Sequence, residues 1–360
     1  MKSKIIILLM CSFYFSSCVF MGKKTASKEN IISLLKAEAE KGEILFGHQD
    51  DYLYGHSWKL ENNTISYDKS DIKDVCGAYP AVYGMDLGGI ELDQPFNIDN
   101  NLFVHIRRSA LAHYKRGGVV AFSWHLRNPL TKGDTWDVSS KEVVASILPG
   151  GDKHELFKNW LSKAGDFLSS IRTDDGDVLP VIFRPWHENT GSWFWWGKDL
   201  CTPEQYKALW KMTYDYLNKE SRLNNLVWAY SPGASGLSYE VLIERYPGDD
   251  MVDIVGFDCY QYDSKEQYVS DMRNALELVN DFARERNKFI AVTETGYEGV
   301  KDKEWWTGTL YPIIKDYPLS YVLVWRNACD RQEHFYAPYP GQESAEDFKA
   351  FSEIEKMGFI

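Results

Sequence analysis

Eight short apolar runs, rich in β-branched and aromatic residues, recur along the chain at 44–48, 81–86, 119–125, 179–186, 225–230, 254–260, 289–294 and 321–326. Their brevity and near-continuous apolarity fit strands buried on both faces, as in parallel sheets. Longer stretches between them carry helical spacing, at 104–116, 153–172, 203–219 and 266–286. Leu156, Trp160 and Leu161 are spaced for one buried face of the second helix. Thr202 ahead of Pro203 offers a cap and a first-turn proline for the third. No low-complexity segment, short repeat or Pro/Gly/Ser-rich linker interrupts the alternation after Asn30. Eight strands with seven visible crossovers predict an α/β protein, a single (β/α)8 barrel over residues 30–360, in preference to a doubly wound sheet.

Composition narrows the partners. The chain has 360 residues and a formal net charge of -12, so a nucleic acid or an anionic membrane surface would repel it. Its 13 Trp and 22 Tyr exceed what core packing normally requires, which predicts a ring-lined groove for a neutral ligand. Lys2 and Lys4 precede an apolar run from Ile5 to Phe15, long enough for a secretory leader and too short for a comfortable transmembrane span. Phe15-Ser16-Ser17-Cys18 resembles a bacterial lipobox, with Phe15 in place of the usual Leu. The expectation is a leader over residues 1–17, a lipid anchor at Cys18, a tether over 18–29, and an exported monomer in the periplasm or at the outer membrane. Of six cysteines, Cys11 leaves with the leader and Cys18 takes the lipid. Cys76, Cys201, Cys259 and Cys329 remain, an even number compatible with disulfides and too widely spaced for a zinc site.

A barrel carries its chemistry at the C-terminal ends of its strands. The predicted strand exits read His48, Asp86, His125, His187 with Glu188, Ser231, Tyr260, Glu294, and Trp325 with Arg326. A purely structural barrel could have used Ser, Thr, Asn or Gly at most of these positions. Glu188 lies amid Trp186, Trp193, Trp195 and Trp196, where desolvation should keep it protonated as a general acid. Glu294 should stay ionised if Tyr260 or His187 donates a hydrogen bond and Arg326 adds positive field. A protonated and an ionised glutamate facing one acetal could cleave a glycosidic bond with retention, the ionised one attacking the anomeric carbon.

Other residues carry plainer readings. His48, Asp50, Asp51 and His56 read as loop-capping groups, and no metal or cofactor is expected. His187 and Glu188 lack the second histidine of a zinc-protease helix. Arg184 is expected to pair with a barrel-interior acid such as Asp258. Asp86 with Gly88 and Gly89 makes either a sugar-contacting loop or a tight turn. Trp136, Trp305 and Trp306 are either distal sugar platforms or loop-packing residues.

Several segments together resemble glycoside hydrolase family 26, over about residues 40–340. They are Leu45-Phe46-Gly47-His48-Gln49-Asp50-Asp51, Ser123-Trp124-His125, Trp186-His187-Glu188, Trp193-Phe194-Trp195-Trp196-Gly197, Phe257-Asp258-Cys259-Tyr260, Thr293-Glu294-Thr295 and Trp325-Arg326-Asn327. The resemblance implies an endo-acting β-1,4-mannanase acting on mannan, galactomannan or glucomannan. It makes Glu188 the acid/base and Glu294 the nucleophile, with His187 and Tyr260 positioning the nucleophile. It assigns His125, Trp193, Trp325 and Arg326 to the subsites beside the cleaved bond. Mannose specificity follows from the resemblance alone. The alternatives are a glucanase or xylanase on the same barrel, or a non-catalytic carbohydrate-binding lipoprotein, which would need neither glutamate.

Overall fold

The computed structural model describes residues 26–262 and 264–360. The leader, the lipobox at Cys18 and most of the expected tether lie outside the described residues. Eight parallel strands run in chain order: β1 (Ile44–Gln49), β2 (Val82–Asp86), β3 (Val119–Ser123), β4 (Val181–Arg184), β5 (Leu226–Tyr230), β6 (Ile254–Tyr260), β7 (Phe289–Gly296) and β8 (Leu319–Val324). Each pairs with the next, and β8 closes on β1 with Leu45 opposite Tyr321 and His48 opposite Val324. The predicted (β/α)8 barrel is therefore closed. A short strand, Met357–Gly358, adds to the start of β1.

Alternation along each strand builds two cores. Leu45, Val82, Ala121, Ile182, Val227, Ala291 and Leu323 belong to the cluster that fills the barrel, together with Ile31 and Leu35 of helix α1 (Lys28–Lys41). Their neighbours Phe46, Tyr83, Phe122, Phe183 and Val292 join the larger cluster with the surrounding helices. Because α1 begins at Lys28 and contributes to the barrel core, the expected domain start at residue 30 falls inside a helix; residues 28–29 belong to the folded unit.

Helices α2 (Phe103–Lys115), α3 (His154–Ser170), α4 (Pro203–Asp215) and α5 (Lys265–Arg286) match the four predicted segments within a few residues. In α3 the buried face uses Phe157, Trp160, Leu161, Ala164 and Leu168, whereas Leu156 is exposed. Position 156 lies one residue ahead of the row that meets the barrel. Thr202 caps α4 as expected, in a reciprocal capping box with Gln205. No helix among the described residues is long and apolar enough to cross a membrane.

Two features shape the mouth. Between β6 and β7 the register passes from Phe257 opposite Val292 directly to Asp258 opposite Glu294, so a bulge at Thr293 re-aims the end of β7. β4 stops at Arg184, two residues short of the predicted end, before a proline that has no N–H for a ladder. Trp186 and Glu188 then take left-handed backbone conformations, with φ of 54° and 52°.

Candidate active site

Glu188 stands on this tight turn after β4, and its backbone N–H donates to Ser231 O at 2.7 Å, tying the turn to the end of β5. Side chains with positive φ are uncommon outside glycine and asparagine, and such conformations persist where surrounding contacts fix them. The fixing contacts are indoles. Trp186, Trp195 and Trp196 are fully buried beneath the turn, and their N–H groups donate to Thr213, Leu126 O and the His187 carbonyl. These three rings support the turn and do not line the cavity beside Glu188, contrary to the expectation that all four tryptophans surround the acid. Trp193 is the indole that reaches Glu188: it is 46% exposed and donates to Oε2 at 2.6 Å.

Glu294 lies near the end of β7, buried. Tyr260, at the end of β6, donates its hydroxyl to Glu294 Oε2 at 2.6 Å. Arg184, at the end of β4, pairs with Glu294 Oε1 and also with Asp258, at 2.8 Å. Both Glu294 oxygens thus accept hydrogen bonds, the pattern of a carboxylate. Asp258 is held in turn by Ser231 at 2.8 Å and Thr293 at 2.6 Å.

One oxygen each of Glu188, Asp258 and Glu294 lie within 4.8 Å of one another. Among the described residues this is the only cluster of metal-capable donors, and the Arg184 guanidinium already supplies its positive charge. Burial, and then the charges of Asp258 and Glu294, push the Glu188 carboxyl well above its ordinary range; the Trp193 N–H and Arg184 pull against them. Burial and the adjacent Glu294 charge push the Tyr260 phenol up as well, which keeps it a donor.

Two expectations about Glu294 are corrected. His187 does not touch it: its Nε2 lies 3.0 Å from His125 Nε2. His125 Nδ1 is 2.7 Å from Asp86. Burial works to lower His125, but the Asp86 carboxylate outweighs it and the net shift is upward. His187 is driven well below the usual histidine value by burial, and by the charges of Arg184 and His125. A neutral His187 accepting from a charged His125 satisfies both directions. Arg326 also stays away from Glu294, pairing with Asp99 at 3.1 Å and donating to the Tyr54 hydroxyl oxygen at 3.2 Å. The positive field at Glu294 comes from Arg184.

The remaining residues fall into place around this centre. Asp86 accepts from Gly88 N, Ser123 and His125, so its loop orients a histidine from within the protein and the carboxylate is fully buried. Trp325, just past β8, sets its ring 6.1 Å from His125. Trp136 is half exposed and stacks on His125, whereas Trp305 and Trp306 are buried and bonded to Gln261 and Ser344, which makes them loop packing. His48 pairs with Asp51 at 2.7 Å and Asp50 accepts from Tyr54 at 2.6 Å, buried side chain to side chain. Cys76, Cys201, Cys259 and Cys329 are all free thiols, so the disulfides that their even number allowed do not form. The grip of Arg184 on Glu294 was not foreseen, nor were the roles of Ser231, Thr293 and Asp99; an arginine at a strand end was the one available signal.

Two carboxyl groups facing each other across a cleft at the strand ends of a closed barrel place the protein among the (β/α)8 glycoside hydrolases. Membership is narrower than that class. The profile of glycosyl hydrolase family 26 matches residues 23–304, and the chain belongs to this family. A structure titled as a GH26 β-mannanase from Bacteroides ovatus superposes with a TM-score of 0.88 at 49% identity, covering 92% of this chain and 94% of that one. A mannan endo-1,4-beta-mannosidase of Bacillus subtilis is 31% identical over 280 residues, covering 74% of this chain and 72% of that protein. The protein of that same name from Bifidobacterium adolescentis is 31% identical over 92% of this chain, and the chain spans only 34% of its length.

Proposed function

We propose that the protein is a retaining endo-β-1,4-mannanase, with Glu188 as acid/base and Glu294 as nucleophile. The observation that carries this reading is the approach of the two carboxyl groups to within 4.8 Å, oxygen to oxygen. Retaining glycosidases hold their carboxyls about 5–5.5 Å apart, and inverting ones leave a wider gap for water. Glu188 gives its proton to the glycosidic oxygen as the bond to the anomeric carbon breaks, and Glu294 bonds to that carbon. Glu188, now a carboxylate, takes a proton from water, whose oxygen displaces Glu294 and restores the original configuration. Arg184 and Tyr260 hold the attacking carboxylate in line. The choice of mannan is supported by what the relatives' names say they cleave.

The test is hydrolysis of galactomannan beside barley β-glucan and xylan, with the first-formed anomer followed by NMR. Galactomannan cleavage with β-configured product is expected, and Glu294→Ala should lose turnover while still binding mannohexaose. Preferred cleavage of glucan or xylan would move the substrate to the competing class; an α-anomer formed first, or full activity in Glu294→Ala, would remove the mechanism. The leader over residues 1–17 and the lipobox at Cys18 support export with a lipid anchor, facing the periplasm or the outer surface. Labelled palmitate should enter the full chain and not its Cys18→Ala variant.

A further inference from the structure

We propose that Tyr336, in the loop after β8, is a positioning residue for Glu294, a wedge set between the end of β7 and the ring of Tyr260. The inference rests on the role given above to Glu294 as nucleophile. The ladder between β6 and β7 places Tyr260 opposite Gly296, and so fixes the Tyr260 backbone beside the strand that carries Glu294. It does not choose the Tyr260 side-chain rotamer. Contacts on the ring must do that, to hold the hydroxyl at 2.6 Å from Glu294 Oε2. Among the described residues two aromatic rings flank it. Tyr262 has its centroid 5.5 Å away but is 76% exposed, so water competes for its place. Tyr336 is 6% exposed, and its centroid lies 5.6 Å from that of Tyr260 with the planes 71° apart. That edge-to-face geometry is a favoured aromatic contact.

Tyr336 also reaches the strand of the nucleophile itself. A Cβ built on Gly296, two residues past Glu294, would fall 2.4 Å from Tyr336 Cδ1, so the tyrosine ring lies directly against the β7 backbone and only glycine admits it there. The surrounding loops hold the wedge. Asn327, buried just past β8, accepts at Oδ1 from the N–H groups of Tyr336 at 3.1 Å and Ala337 at 3.0 Å, and its Nδ2 donates to Asp71 at 2.9 Å. The Gly299 N–H donates to Phe335 O at 2.8 Å, tying this loop to the one after β7. His334 meets Glu298 at 2.6 Å and sets its ring 5.3 Å from that of Tyr336, nearly perpendicular to it. A ring fixed in this way against both Gly296 and Tyr260 couples the β8 loop to the carboxylate that attacks.

The test is a double-mutant cycle on mannopentaose hydrolysis. Tyr336→Ala should lower kcat about tenfold, below the roughly hundredfold that a misplacement of about 1 Å can cost, with KM within about twofold of wild type. Tyr260→Phe removes the hydroxyl and should lower kcat as well. Adding Tyr336→Ala to it should cost less than about twofold more, because a wedge that acts through that hydroxyl has nothing left to position. Tyr336→Phe keeps the ring and should rescue kcat. If Tyr336→Ala does not fold, Tyr336→Leu, which keeps bulk without a flat face, carries the same comparison. Losses that multiply in the double variant, a change confined to KM, no rescue by Tyr336→Phe, or wild-type kcat in the folded single variant would overturn the wedge while leaving the catalytic assignment standing. Wild-type kcat in Tyr260→Phe would overturn the hold on Glu294 and the wedge with it.

Discussion

Trp193 gives Glu188 a side-chain hydrogen bond from its indole, at 2.6 Å, and that bond, with Arg184, opposes the burial and the Asp258 and Glu294 charges that raise the acid. In the acid role proposed for Glu188 the active form is the protonated one, so activity should be lost as pH rises through its pKa. Trp193→Phe keeps a ring and removes the N–H, which stabilises the ionised form; the Glu188 pKa should rise further, and the alkaline limb of kcat/KM should move to higher pH. A limb that stays put or moves down would mean that Glu188 is not the group being titrated. Arg184 acts on the other side of the bond. It compensates Asp258 and Glu294 together, and burial opposes its charge while those two carboxylates hold its proton firmly. Arg184→Ala leaves both acids buried without their cation, a change worth about 3–5 kcal/mol in comparable buried pairs. Loss of turnover together with a large fall in Tm is expected; a stable variant with near-normal kcat would contradict the clamp. Both glutamates were legible from apolar runs that end in an acid. The clamp was half legible: pairing of Arg184 with Asp258 follows from an arginine inside a barrel, but its reach to Glu294 depends on how neighbouring strands are staggered, which pattern alone does not encode.

At the level of elements the sequence was readable where burial is periodic and unreadable where the backbone breaks its period. The eight apolar runs and four helical stretches appear within a few residues of their predicted ends, because two-sided burial and one-sided burial leave different spacings. The bulge at Thr293 leaves no such trace. It skips one residue in the pairing, and so brings Thr293 and Glu294 to Asp258 together, at 2.6 Å for the threonine hydroxyl. The left-handed residues Trp186 and Glu188 are equally silent, since neither residue type advertises positive φ. Ends of helices are clearer, because caps are chemical. The reciprocal bonds between Thr202 and Gln205 satisfy two N–H groups at the start of α4, a helix that also carries Thr213, the acceptor of the Trp186 indole. Thr202→Ala should cost about 1 kcal/mol and lower Tm, with kcat unchanged because α4 supports the catalytic turn from behind. A variant with wild-type Tm would show that the cap is dispensable, and one with lowered kcat that the helix start is coupled to Glu188.

For the whole molecule, the acid limit of stability is set in part by histidines that the fold keeps neutral. His113, on α2, is enclosed: Tyr52 meets its Nδ1 at 3.0 Å, and its Nε2 donates to Ala81 O at 3.2 Å. A Cβ on Gly118 would fall 2.1 Å from Nε2, so the ring occupies the space a side chain would need there. Burial drives its pKa down from 6.5 to about 3, and the nearby Arg116 charge adds to the fall. In the unfolded chain the same ring titrates near its ordinary value. As pH falls below that value the unfolded chain takes up a proton that the folded barrel refuses, so stability drops with falling pH until the folded-state pKa is reached. One such proton changes stability by about 1.4 kcal/mol per pH unit. Carboxylates titrate over part of the same range, so the wild-type profile alone does not isolate the histidine. His113→Gln keeps one acceptor and one donor and removes the titration. Its Tm should be lower near neutrality, through imperfect fit, yet fall less steeply than that of the wild type as pH is lowered from 6.5 toward 4. Parallel profiles for the two proteins would mean that His113 takes up its proton in the folded state, and that the enclosure beneath α2 opens to water.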